Sequence, residues 1–401
     1  MLLHLCAILA PQIASPGTAL SLAAQETQEA DPQVGAPADQ DKGGNRNKAT
    51  SREEFDRLLR DKEALAAGQV AIDKLLRANG GLVEVGALDD KALPLFSILP
   101  GLRYDLLETK RTETIEGSNE WRVDNYVPRM IHSAPNGDAY VYSEYAGSSG
   151  ENETDMFASF RRDIMTSDRA WAETDGRLLQ RGDARVASAA RSLVTRELLF
   201  GLMPHGLALG RSKLALLRVD ETSRGNVGVY AMRLDQPVDL LQAELANDFL
   251  LYVDTDQWTV LGATYTGFGL ARPRIVNYDI VQDIDIAIGE GTKEAIRTVY
   301  AQRRTAELSN RGEEVDPAAV EAEAASLKFP TAFRLPYLRV VHERRARFEI
   351  LHQIEDVVFD EFPAAAVLPP WHGQQVWRPP YHADHWDPPA QEDEPGASQG
   401  E

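Results

Sequence analysis

The stretch Phe249-Leu-Leu-Tyr252-Val253-Asp254-Thr255-Asp256-Gln257-Trp258-Thr259-Val-Leu-Gly-Ala-Thr264-Tyr265 decides how the rest of the chain is read. Two apolar runs flank a short polar loop, which is the pattern of an antiparallel hairpin. Leu251 and Val253 alternate only loosely with polar neighbours, so this strand is expected to be well covered. The same signal recurs on both sides. Residues 104–115, 121–131 and 139–145 read as strands, the last two separated by the turn cluster Pro135-Asn136-Gly137-Asp138. Residues 168–171 and 178–180 flank Thr174-Asp175-Gly176, and Asp-Gly between two strands is a strong hairpin signal. Further strands are expected at 214–219, 227–234 and 275–288, and a last hairpin at 337–342 and 347–359 around Arg344-Arg345. Sequential hairpins imply an antiparallel sheet of roughly ten strands, which must curl at that width.

Helical spacing interrupts the strands in three places. Ser51 and Glu54 form a capping-box pattern, followed by Phe55, Leu58, Leu59, Leu65, Ile72, Leu75 and Leu76 at helical intervals. Gly68 inside this run marks a kink or a close packing point, and Asn79-Gly80-Gly81 ends it. A second helix is expected over 186–203, with Val186, Leu193, Val194, Leu198 and Leu202 on its apolar side and Pro204 and Gly206 as stops. Residues 290–328 are charged and alanine-rich and read as a helical insert. Two helices are expected there, near 293–308 and 317–327, the second opened by Asp316 before Pro317. The fold class that results is α+β: a strongly curved antiparallel sheet, an open half-barrel, with helices on its concave face.

The ends read differently from this domain of residues 51–362. Residues 1–24 resemble a signal peptide, with an apolar run over 2–10 and a small-x-small cleavage pattern at Ser21-Leu22-Ala23. The basic segment usual before such a run is missing, and Pro11 cuts the run short. Export to the periplasm is the expectation, and Cys6 as the single cysteine agrees with it, since cleavage leaves no thiol to mispair. Residues 25–50 lack large apolar side chains and are expected to be a disordered linker. Residues 363–401 are a Pro/Trp-rich tail carrying Trp371, Trp377 and Trp386, read as disordered or as a strap for an envelope protein partner.

Composition and motifs limit the chemistry. A net charge of −20 over 401 residues repels a phosphate backbone, so nucleic acid is not an expected partner. No run approaches the ~18 apolar residues of a spanning helix. Phosphate loops, nucleophile elbows and a cysteine nucleophile are missing, and no enzyme activity or cofactor is expected. His372, His382, Asp384, His385 and Asp387 have metal-ligand types but lie in the tail, and no metal site is expected. Asp279, Asp283, Asp285, Asp254 and Asp256 are read as solvent-facing strand and turn residues rather than as acid–base pairs.

One resemblance gathers these elements. The run Ile72-Asp-Lys-Leu75-Leu76-Arg-Ala-Asn79-Gly80-Gly81 ends the first helix, and Trp171-Ala-Glu-Thr-Asp175-Gly176-Arg177 follows in the strand series. The mid-chain helix ends Leu198-Leu199-Phe200-Gly201-Leu202-Met203-Pro204, and Phe249-Leu-Leu-Tyr252-Val253-Asp254 opens the later hairpin. In this order they resemble the periplasmic lipoprotein-carrier (LolA/LolB-like) superfamily over roughly residues 52–362. The resemblance implies an unclosed curved sheet capped by helices, and the binding of acyl chains of lipid or lipoprotein. The helical insert and the tail depart from it. Two functions are therefore expected: a non-enzymatic carrier whose cavity is lined by Phe55, Leu58, Leu65, Ile72, Leu198 and Leu202, or an envelope scaffold in which the same residues fill an ordinary core.

Overall fold

The computed structural model describes residues 51–86, 92–114, 120–148, 156–174, 177–179, 183–223, 225–240, 245–266, 268, 276–343 and 348–367. The expected leader, the linker and the tail beyond residue 367 lie outside the described residues.

The chain opens with helices α1 (Arg52–Leu58) and α2 (Lys62–Ala78). Ser51 caps α1 by accepting from the Glu54 amide at 3.1 Å. A single helix was expected, and Asp61 divides it. The Asp61 carboxylate accepts from the Glu63 and Ala64 amides at 2.9 and 3.1 Å and so starts a second helix. Asn79 ends α2, its side-chain amide donating to the Leu75 carbonyl at 2.7 Å, and Gly80 turns the chain away with φ +69°.

Strands β1 (Leu82–Val85) and β2 (Ala92–Pro94) pair with each other. The long strands follow: β3 (Leu102–Glu113), β4 (Trp121–Ser133), β5 (Ala139–Ser148), β6 (Met156–Met165), β7 (Ala170–Thr174) and β8 (Arg177–Leu178). Helix α3 (Ala184–Arg196) runs into a π-helical turn at Glu197–Gly201 and a 3-10 turn at His205–Leu209. Next come β9 (Ser212–Thr222), β10 (Gly225–Asp239), β11 (Leu245–Asp254), β12 (Thr259–Tyr265) and β13 (Val276–Ala287). Helices α4 (Glu290–Asn310) and α5 (Pro317–Ala325) precede β14 (Leu327–Lys328), β15 (Ala332–Glu343) and β16 (Phe348–Val358).

Among the described residues the main sheet has 13 antiparallel strands in the order β8-β7-β6-β5-β4-β3-β16-β15-β13-β12-β11-β10-β9. The expectation of roughly ten is too low, and β6 is the one strand of this sheet for which no segment is expected from the sequence. The sheet is two meanders joined at the β3–β16 pair. The first ends at edge β8, the second starts at the opposite edge β9, and α3 carries the chain between them. With strands about 4.8 Å apart, a flat sheet of this width would separate its edges by about 58 Å. Helix α3 and the π turn together extend only about 27 Å. Yet α3 packs against β5, β6 and β7 near one edge and against β10 near the other. The sheet therefore curls around α3, and its edge strands β8 and β9 do not pair with each other.

Side chains alternate across this sheet, so neighbouring residues report its two faces. Leu214 belongs to a cluster with Ile72, Leu75, Leu76, Phe200, Met232, Phe249 and Tyr278 on the concave side. Its neighbour Ala215 packs with Phe55, Leu59 and Ala231 on the other side. Helices α1 and α2 thus straddle edge strand β9. The crossing point is Gly68, where a Cβ would stand 2.0 Å from the Leu214 carbonyl oxygen.

The expected helical insert forms a pair whose ends differ from expectation by a few residues, and it is not an appendage. Ile296, Tyr300 and Ala324 share a core cluster with Val83, Leu95, Phe96, Leu327 and Phe333, so the pair and the small sheet β14-β1-β2 close one end of the core. On the convex face Met130, Tyr140, Tyr142, Phe160, Ile164 and Trp171 are covered by Phe362 and Ala366. The first residues after Phe362 thus dock on the domain, with a 3-10 turn at Ala364–Val367.

Candidate functional site: the segment that fills the concave face

Every residue from 194 to 207 is buried. This stretch ends α3, makes the π turn and lies across the middle of the concave face. Its apolar side chains are shared between the two large core clusters: Leu199, Phe200, Met203 and Leu207 in one, Val194, Leu198 and Leu202 in the other. Phe200 meets Phe249 at 5.2 Å between ring centroids and Tyr278 at 5.0 Å.

A π turn leaves carbonyls without their usual helical partners. Two tyrosines from the sheet supply donors here. Tyr104 on β3 donates to the Glu197 carbonyl at 3.2 Å, and Tyr278 on β13 donates to the Phe200 carbonyl. Burial raises both phenols above their ordinary value, so both stay protonated as donors. His205 is fully buried, stacks on Phe333 at 3.9 Å and bonds through Nε2 to the Arg334 carbonyl at 2.7 Å. Burial lowers its pKa to about 4, so the ring is neutral and Nε2 is the donor.

The same segment carries charge into the core. Arg196 donates through Nε and Nη2 to Glu197 Oε1 at 2.9 and 2.8 Å, and through Nη2 to Glu108 Oε2 on β3 at 3.2 Å. Arg129 on β4 donates to Glu108 Oε1 at 3.0 Å and to Ser143 at 2.7 Å. His352 on β16 meets Glu108 Oε2 at 3.2 Å. Lys110 Nζ stands 3.9 Å from Glu108 Oε1, at the margin of the cluster. Arg339 on β15 lies with Nη1 3.7 Å from Glu197 Oε2.

Among the five most buried charged side chains of this cluster, Glu108, Arg129, Arg196, Glu197 and Arg339, arginines outnumber glutamates three to two. Burial opposes ionisation of Glu108, yet Arg129, His352 and Arg196 hold it well below the usual carboxylate range. Burial likewise opposes ionisation of Glu197, but Arg196, Arg339, His352 and Arg129 bring it down to about 2. Burial lowers His352, against the pull of Glu108. Pairing across the network is uneven. Arg339 Nε and Nη2, Glu197 Oε2 and His352 Nδ1 lack hydrogen-bond partners. Each such buried polar group costs about 1–3 kcal/mol.

The residues expected to line one cavity are divided between two places. Ile72, Leu198 and Leu202 are on the concave side, within the packed core. Phe55, Leu58 and Leu65 lie on the other face, against Ala215 and Ala231. The helix spacing that joined them ignored the passage of α2 over the sheet edge. A cavity of about 130 Å³ opens near Phe96, Asn136, Gly137, Leu209 and Arg211, well below the roughly 300 Å³ of a small-molecule pocket. The concave face itself is occupied by residues 194–207.

Asp254, Asp256 and Asp285 are placed as turn and surface chemistry, whereas Asp279 is partly buried on β13, Oδ2 3.7 Å from His342 Nδ1, and burial raises its carboxyl above the usual range. Asp254 accepts from the Asp256 and Gln257 amides at 2.9 Å, and Asp285 pairs with Arg334 at 2.8 Å. No group of three metal-ligating side chains occurs among the described residues, and the histidines of the tail lie outside them. Among the described residues no helix is long and apolar enough to cross a membrane.

No family model matches the chain, and no curated protein matches it in sequence. In structure it is similar to a LolA superfamily protein from Nitrosomonas europaea, at 10% identity and TM-score 0.36, over 76% of this chain and 98% of the other. It is similar to a DUF1329 family protein from Desulfovibrio piger, at 9% identity and TM-score 0.38, over 75% and 97%. It is also similar to an outer membrane lipoprotein-sorting protein domain from Vibrio parahaemolyticus, at 4% identity and TM-score 0.36, over 74% and 93%. TM-scores this low leave function to be read from the chain itself.

Proposed function

We propose that this protein is a non-enzymatic, exported binder of acyl chains of lipid or lipoprotein, and that the structure is its closed form. One observation carries this reading: the continuous buried segment 194–207, which occupies the concave face of an unclosed sheet. Its apolar side chains touch sheet residues on both sides, so withdrawing it would uncover an apolar trough. That trough would include Leu106, Ile131, Phe249, Leu251, Tyr278, Val341 and Ile350. An acyl chain fits the apolar part of such a surface because it replaces apolar contacts with apolar contacts, while the Tyr104 and Tyr278 hydroxyls and Arg339, which the segment now faces, would take water or a polar head group. The π geometry at Glu197–Gly201 agrees with a functional role for the segment, since such turns concentrate at functional positions.

The test is uptake of a fluorescent fatty acid by the purified full chain, with native mass spectrometry of protein isolated from its own envelope. A saturable one-to-one signal and a co-purifying acyl mass are expected. A clean apo mass with no uptake would reject the reading.

A second reading is an envelope scaffold with a permanently filled core. The buried ion network favours it, because Arg196 and Glu108 tie the segment to the sheet. The tail beyond residue 367 would then supply the partner surface. Loss of a captured partner on deleting residues 368–401, with no acyl binding, would support it.

A further inference from the structure

We infer that the ligand of the concave face is an anionic amphiphile, whose head group takes the place of Glu197 against Arg339. This inference rests on the acyl-binding reading and adds the head-group chemistry.

Arg339 is on β15, near the middle of the sheet order, and is 2% exposed. It points into the space between the sheet and the π turn. Gly201 marks that space, where a Cβ would stand 2.4 Å from Tyr104 Oη, 2.9 Å from Arg339 Nη1 and 3.2 Å from Glu197 Oε2. Guanidinium groups bind carboxylate or phosphate through paired parallel donors. Arg339 has no such pairing. Its Nε and Nη2 have no hydrogen-bond partner, a side-chain hydrogen bond joins it to the neutral Tyr278, and Nη1 stops 3.7 Å from Glu197 Oε2, which itself has none. The carboxylate of Glu197 therefore balances the charge of Arg339 without filling its fork.

Withdrawal of the segment makes the difference. Arg196 and Glu197 leave together, being adjacent and bonded to each other. Arg339, Arg129 and Lys110 stay on the sheet with Glu108 as the anion among them. The floor of the opened trough is then cationic amid apolar walls. Its complement is a molecule with an apolar chain and one compact anionic end, a carboxylate or a phosphate monoester. A neutral or cationic head would leave Arg339 buried without a counter-charge, which is unfavourable.

The experiment compares dodecanoate, dodecyl phosphate and 1-dodecanol, all below aggregation, with acetate and inorganic phosphate as anions lacking a chain. Binding to the full chain is followed by titration calorimetry at neutral to mildly alkaline pH. At least one dodecyl anion is expected to bind at least about tenfold more tightly than dodecanol, and the short anions only weakly. Which dodecyl anion binds tighter identifies the head group. Arg339→Gln is expected to bring the anion-to-alcohol ratio towards one, and Arg339→Lys to retain part of it. Glu197→Gln, which removes the internal competitor, is expected to raise it. Equal binding of dodecanol and both anions by the unmodified chain would overturn this inference while leaving acyl binding intact, whether or not any variant folds. Binding of inorganic phosphate as tightly as dodecyl phosphate would overturn the amphiphile. No binding of any chain compound would reject the acyl reading and this inference with it.

Discussion

Arg196 on α3 and Glu108 on β3 meet inside the core, Nη2 to Oε2 at 3.2 Å, and this contact ties the segment on the concave face to the sheet beneath it. Both side chains are almost fully buried, at 3% and 0% exposure. Removing one partner strands the other charges. Glu108→Gln is expected to destabilise the protein by about 3–5 kcal/mol, because Arg129, Arg196 and His352 all face that carboxylate. Urea denaturation followed by tryptophan fluorescence checks this. A loss below about 1 kcal/mol would mean the network is open to solvent.

Gly68 gives a prediction of opposite sign to helix propensity. In an exposed helix, glycine to alanine gains about 1 kcal/mol. Here the new Cβ would meet backbone at 2.0 Å, the Leu214 carbonyl oxygen on β9. Backbone of a paired strand cannot move aside cheaply, so Gly68→Ala is expected to lose about 1–3 kcal/mol net, read from thermal melts. A stabilised variant would show that α2 does not cross the sheet edge there.

Stability should fall with pH in two steps. His205 is held down to about 4 from 6.5 by burial, so the unfolded chain binds more protons between those values. The contribution is whole above pH 6.5 and is lost as pH falls towards 4, about 3 kcal/mol. Glu197, lowered to about 2 from 4.5, stabilises fully above pH 4.5 and loses this as pH falls towards 2. His205→Gln should shrink the upper step, to which the lowered His352 also contributes, and Glu197→Gln the lower one, to which Glu108 also contributes, in denaturation midpoints measured against pH. Unchanged profiles would contradict these burials.

Phe200 separates the two functional readings. Phe200→Ala removes a fully buried ring packed on Phe249 and Tyr278, and about 3–5 kcal/mol of stability should go with it. If the segment gives way to an acyl chain, the same change weakens the closed form and tightens fatty-acid binding. A scaffold with a permanent core would lose stability and gain no affinity.

The strand series was legible because Pro135-Asn136-Gly137-Asp138 and Asp254-Thr255-Asp256-Gln257 punctuate it with turn residues. Strand β6 was not, because Arg161, Arg162 and Asp163 interrupt its apolar pattern. Their charges are satisfied only in three dimensions, Arg161 by Asp163 and Arg162 by Glu173 on β7. The division between α1 and α2 turned on Asp61, whose capping role competes with an unbroken apolar period. The ion network had almost no linear signal, since Glu108, Arg129, Arg339 and His352 come from four different strands. The one local clue was Arg196-Glu197 set between Leu193-Val194 and Leu198-Leu199, two opposite charges inside an apolar helix. Gly68 was legible as a close packing point, though not which strand it meets.

Whether the acyl chain displaces residues 194–207 is tested by pinning α3 in place. Ser192 Oγ accepts from the Asp239 amide of β10 at 2.9 Å, so α3 and β10 touch there, and a disulfide engineered between the two elements at this contact, at a pair that meets the usual Cα separation of about 4.4–6.8 Å and with Cys6 replaced by serine, holds α3 in place. Fatty-acid binding is then measured before and after reduction. If the acyl chain takes the space of residues 194–207, little binding is expected in the oxidised protein, with recovery of unmodified affinity on reduction. Equal binding in both states would contradict this displacement, since the acyl chain would then have no need of the space that residues 194–207 occupy.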